Sequence, residues 1–112
     1  QECLQPEGTP QFKGGLNRLS ELVKELPLPV IVKETGCGFS KRTLERLNET
    51  GIAAVDVSGF GGTHWGRIEG GRLDAADPRA TVAKTFENWG VSTAQTLIWA
   101  DEIAPRFEVW AS

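Results

Sequence analysis

Between residues 16 and 26 the apolar side chains fall at Leu16, Leu19, Leu22, Val23 and Leu26. This three-and-four spacing puts them on one face of a helix. Pro27 and Pro29 end it, because proline removes a backbone donor and crowds the preceding turn. Val30-Ile31-Val32 is then an unbroken β-branched run, as expected of a parallel strand buried on both faces. Helical spacing returns from Ser40 to Thr50, with Ser40 as N-cap, Leu44 and Leu47 on one face, and Gly51 where a C-cap glycine belongs. Ile52 to Val57 reads as a second buried strand. Thr93 to Ile103 reads as a third helix between a Ser92 cap and a Pro105 stop, and Phe107 to Ala111 as a third strand. The first few residues read as the tail of an earlier strand. Strands separated by helices of this length predict βαβ units, a parallel sheet and an α/β fold. From Ser58 to Val91 no strand pattern appears; short helices are expected near Trp65–Glu69 and Thr81–Glu87. So long a connection in a compact domain is usually functional or mobile.

Composition adds mainly exclusions. The net charge of -3 over 112 residues gives no electrostatic reason to expect nucleic acid or an acidic membrane as partner. No apolar run approaches the roughly 20 residues of a membrane span, and no signal-peptide pattern opens the chain, so a cytoplasmic location is expected. Cys3 and Cys37 are therefore expected as thiols rather than a disulfide. One histidine and two cysteines without zinc-like spacing make a poor metal set. The chain begins at Gln1 and its last strand has nothing after it to cover its faces. A partial domain is expected, belonging to a longer protein.

The residues suited to chemistry sit where strands end. Lys33-Glu34 follows the first strand and Asp56-Val57-Ser58-Gly59 closes the second, and strand C-termini form the active face of a parallel α/β barrel. Thr35-Gly36-Cys37-Gly38-Phe39-Ser40 is a glycine-rich turn before a helix, where backbone N–H groups and the helix dipole can hold an anion. Ser58-Gly59-Phe60-Gly61-Gly62-Thr63 is a second such turn, with two hydroxyls, and Lys33 adds a cation. These residues could form a phosphate site. Equally, the glycines could only shape βα turns, with Lys33 solvated or paired to a carboxylate. Glu2 offers one oxygen ligand for Mg²⁺, although adjacent polar residues such as Gln1-Glu2 are more often solvated surface. His64, alone in its loop, is expected to be exposed and idle. Cys37 is expected to serve as a small residue in a tight turn. Trp65 is expected to be the tryptophan nearest the site.

Four segments also carry a resemblance. Gln1-Glu2-Cys3-Leu4-Gln5-Pro6-Glu7-Gly8 resembles the QExxQPEG segment of type 2 isopentenyl-diphosphate isomerases. Pro29 to Gly38 is similar to their PVIVKExGxG strand, Asp56 to Trp65 to their DVSGxGGTxW loop, and Trp89 to Ala94 to their WGIPTA segment. The resemblance implies a homo-oligomeric, FMN-dependent (β/α)₈ TIM barrel of isoprenoid biosynthesis. Such an enzyme interconverts isopentenyl and dimethylallyl diphosphate, using reduced FMN, Mg²⁺, and NADPH as flavin reductant. It implies that Gln1 contacts the substrate, that Glu2 binds Mg²⁺, and that Lys33, Ser58 and Thr63 bind FMN. Residues 1–112 would run from about the end of the fourth barrel strand to the seventh, inactive alone. His64 and Val91-Ser92 depart from the pattern.

Two other functions stand beside this one. Another FMN-dependent TIM-barrel oxidoreductase, such as an α-hydroxy-acid oxidase, would share the architecture, but its catalytic His and Arg set is not found. A non-catalytic partial barrel that binds a phosphate ligand would need only the glycine turns.

Overall fold

The computed structural model describes residues 2–112. Its elements run α1 (Gly15–Glu25), β1 (Ile31–Lys33), α2 (Lys41–Asn48), β2 (Ala54–Asp56), α3 (Trp65–Arg72), α4 (Pro78–Thr85), α5 (Thr93–Ile103) and β3 (Glu108–Trp110). The strands form one parallel sheet in the order β1-β2-β3, with Val32 beside Val55 and Val55 beside Val109. The α/β reading from periodicity and the three helices it placed are all present.

The helix limits have local causes. Ser40 and Ser92 cap α2 and α5, their hydroxyls accepting the N–H of Thr43 and of Gln95. After α2 the chain turns through Gly51 at φ 82, a left-handed conformation that glycine adopts without steric cost. The α4 helix begins earlier than its apolar residues suggest. Asp77 caps it by accepting the Arg79 N–H, and Pro78 occupies the first helical position, where its missing donor costs nothing.

One face of the sheet holds the core. Val32, Val55, Val57, Phe107 and Val109 pack with Leu44 and Leu47 of α2, Leu97 and Ala100 of α5, and the Leu16–Leu19–Val23 stripe of α1. The opposite face is open at its edges: Ile31 is 43% and Trp110 45% exposed. The expectation that the first strand is buried on both faces is corrected accordingly, because no helix of residues 2–112 covers the second face. The earlier-strand reading of the first residues is also corrected. Residues 2–7 turn, with Gly8 N–H donating to Gln5 O at 3.1 Å, and no neighbouring strand offers them a ladder.

The 60–92 segment leaves the sheet and returns to it. Phe60 bridges Ser92 in parallel, and the Phe60 N–H donates to Val91 O at 2.8 Å, so the segment closes at its base. Between these points α3 packs on α4. Among the described residues no helix is long and apolar enough to cross a membrane.

Candidate functional site

Lys33 and Asp56 are register partners at the ends of β1 and β2. The Lys33 Nζ donates to Asp56 Oδ2 at 2.7 Å and to Ser112 Oγ at 3.0 Å, and Ser112 Oγ donates to Asp56 Oδ1 at 2.8 Å. Of the alternatives that the sequence left open for Lys33, pairing with a carboxylate is observed, and its side chain stays 55% exposed. The hydrogen bond from Lys33 is the main reason that the Asp56 carboxyl lies below the usual carboxylate range, against a smaller opposing effect of burial. Ser58 stands two residues beyond Asp56, half-buried and with a positive φ of 29. Thr63 is exposed. At Gly61 and Gly62 a Cβ would meet nothing within 4 Å, so that stretch of backbone lies open to a ligand.

The first glycine turn is closed instead. Glu34 Oε2 accepts the N–H groups of Thr35 and Cys37, both at 3.1 Å, while the Gly36 N–H donates to Ser58 O at 2.9 Å. A carboxylate of the chain itself thus occupies two of the backbone donors that the turn offered to an anion. Gly36 has φ 111, and a Cβ there would lie 2.3 Å from Thr63 O, so the second turn is packed directly on the first. Burial, and then the nearby Glu34 charge, pushes the Cys37 thiol up, away from the thiolate needed for reactivity. Cys3 and Cys37 are both free.

Beside this turn lies a cavity of about 490 Å³. Leu4, Phe12, Ala83, Phe86 and Trp89 form its apolar walls, and Glu2, Glu34, Thr35, Cys37 and His64 its polar ones. It brings Glu2 next to the 34–37 turn, while Lys33, Ser58 and Thr63 are not in its lining. Glu2 Oε2 accepts the Thr9 N–H at 2.8 Å. Among the described residues no group of three acidic, histidine or cysteine side chains could hold a metal ion. Gln1 lies outside the described residues.

The reading of one residue changes. His64 is 8% exposed, not idle on the surface. It caps α3, its Nδ1 accepting the Arg67 N–H at 3.0 Å. A ring nitrogen that accepts carries no proton, so the proton sits on Nε2, which donates to Trp89 O at 3.1 Å. The ring also meets Phe60 edge-on at 5.7 Å, and Cys37 Sγ lies 3.6 Å from Nε2. Trp89 is the tryptophan lining the cavity, while Trp65 lies against the first glycine turn, its backbone N–H donating to Thr35 O at 3.4 Å. Long-range packing decides this, and a sequence carries no local mark of it. The one available signal was His64's place just before a helix, since a side-chain acceptor there can cap.

No known protein-family model matches the chain. Individual proteins do, over all 112 residues. A protein of Legionella pneumophila (strain Corby) named isopentenyl-diphosphate delta-isomerase is 58% identical, and the chain covers 33% of it. One of Bdellovibrio bacteriovorus with the same name is 57% identical, with 32% covered, and one of Nostoc sp. (strain PCC 7120) is 41% identical, with 32% covered. The chain spans about a third of the length of these curated relatives. Along every residue, then, the chain is similar to one third of proteins named isopentenyl-diphosphate delta-isomerase.

Proposed function

We propose that this chain is part of an isomerase that interconverts isopentenyl and dimethylallyl diphosphate, acting in isoprenoid biosynthesis in the cytoplasm. The observation that carries the reading is the 58% identity over the full 112 residues to a protein of that name. A second support is architectural. Three sequential parallel strands with their core on one face only are what one arc of a (β/α)₈ barrel provides, the open face turning towards the barrel interior. Residues 1–112 then form the arc from about the fourth to the seventh strand of a homo-oligomeric protein.

In this reading the whole protein uses FMN, Mg²⁺ and NADPH. Lys33, Ser58 and Thr63 would hold FMN, helped by the open backbone at Gly61-Gly62. The half-exposed Lys33 ammonium suits an anionic or electron-rich group of the flavin, and Asp56 holds it in place until then. Glu2 would contribute an oxygen ligand to Mg²⁺ and Gln1 would contact the substrate. Reduced flavin, when bound, supplies acid–base chemistry that ordinary side chains lack at weakly acidic allylic carbons, while the chain positions it.

The test uses the full-length protein with isopentenyl diphosphate, Mg²⁺, FMN and NADPH under anaerobic conditions. Dimethylallyl diphosphate should appear, and removal of flavin or chelation of Mg²⁺ should stop it. Absence of product under complete conditions would overturn the reading. Lys33→Ala should weaken flavin binding by about tenfold or more, as for a lost charge-assisted hydrogen bond. Unchanged flavin affinity would remove Lys33 from the flavin site.

A further inference from the structure

The first turn of α3 grips three consecutive residues. Arg67 Nε donates to Glu87 O and its Nη2 donates to Asn88 Oδ1 at 2.7 Å, while His64 Nε2 donates to Trp89 O at 3.1 Å. Arg67 also lies over the Phe60 ring, 5.1 Å from its centroid. The gripped segment carries Phe86 and Trp89, stacked edge-to-face at 5.6 Å. Both are largely exposed, Trp89 at 65%, and both line the cavity that Glu2 and Glu34 share. So little burial cannot fix two aromatic rings, and the hydrogen bonds behind them must set their position. His64 sits between the two parts: its Nδ1 secures the helix and its Nε2 the segment. The ring lies tight enough that a Cβ at Gly66 would approach His64 Cε1 to 2.9 Å, so the imidazole has one seat.

We propose that His64 is a positioning residue, clasping segment 86–91 to the start of α3 and so holding Phe86 and Trp89 as the wall of the Glu2–Glu34 cavity. This rests on the isomerase reading in one respect, that the cavity belongs to the substrate site. The residue types beside it fit that role, since apolar walls meeting a carboxylate suit a small hydrocarbon group near a metal-bound anion. His64 itself holds the wall and takes no proton from substrate.

The test separates the two ends of the imidazole in the full-length protein. His64→Asn keeps a side-chain acceptor for the Arg67 N–H, because asparagine is a good N-cap, but it is too short to reach Trp89 O. Hydrogen exchange in 86–91 should then quicken about fivefold, the loss of one ordinary hydrogen bond, with α3 little changed. The KM for isopentenyl diphosphate should rise about fivefold with kcat nearly kept, as expected when uniform binding is lost. His64→Ala should add faster exchange in the first turn of α3. Unchanged exchange in 86–91 in His64→Asn would overturn the clasp whether or not the protein is an isomerase. Faster exchange with KM and kcat both unchanged would overturn the positioning role and leave the isomerase reading standing. A wild-type protein without isomerase activity would sink that reading alone, since the exchange measurement does not depend on it.

Discussion

At the scale of single residues, two glycines of similar appearance in the sequence have opposite roles. Gly36 has φ 111 and stands where a Cβ would lie 2.3 Å from Thr63 O. Gly36→Ala should therefore destabilise the full-length protein by about 3 kcal/mol, from backbone strain and overpacking together. Gly62 has open space around it and no positive φ. Gly62→Ala should be neutral or stabilising by up to about 1 kcal/mol, through the less flexible unfolded chain. Thermal unfolding of both variants checks the pair, and equal losses would contradict the contrast. The sequence showed two glycine-rich turns but not which glycines are squeezed, because that depends on the second turn lying on the first. His64 was misread for the same reason. Nothing adjacent in sequence announces that Arg67 N–H and Trp89 O will converge on its two nitrogens.

At the scale of elements, the helix stripes were legible because a 3.6-residue period is a local property. The three strands were legible as short apolar runs between helices. The start of α4 was not read from periodicity, although Asp77-Pro78 carries it: the aspartate caps and the proline begins the helix. That cap gives a pH dependence. Hydrogen bonds from the Arg79 side chain and then its backbone N–H hold the Asp77 carboxyl at about 2, against an ordinary value of 3.8. A depressed folded-state pKa means a contribution fully present above the ordinary value and lost as pH falls towards 2. Carboxyl-carbon NMR should show Asp77 titrating near 2, and Arg79→Ala should move that midpoint upwards. A wild-type midpoint at the ordinary value would show that the cap does not persist in solution. Because the pair is only partly buried, salt should weaken the effect.

At the scale of the whole molecule, the shape is what the sequence least revealed. The radius of gyration is 15.2 Å, against about 13 Å for a compact domain of this length. Three features account for the excess. The α1 helix packs through partly buried residues alone, the 60–92 segment stands away from the sheet, and one sheet face lacks a covering layer. On that face Ile31 and Trp110 are exposed, with Glu108 accepting a hydrogen bond from the Trp110 indole at 3.1 Å. That bond satisfies the indole N–H but leaves its apolar surface in water. The strands β1 and β3 are also both edges of the sheet, and open edges template pairing with other chains. Residues 1–112 produced alone should therefore bind a hydrophobic dye and self-associate at micromolar concentration in sedimentation velocity. Ile31→Lys combined with Trp110→Ser should reduce both signals, because it removes the largest apolar groups of the uncovered face without touching the Val32–Val55–Val109 core. If the proposed barrel closes over this face in the full-length protein, that protein should bind little dye. A monomeric isolated chain that binds no dye would mean that the two open sides are protected by something other than a barrel, and would remove the architectural support for the isomerase reading.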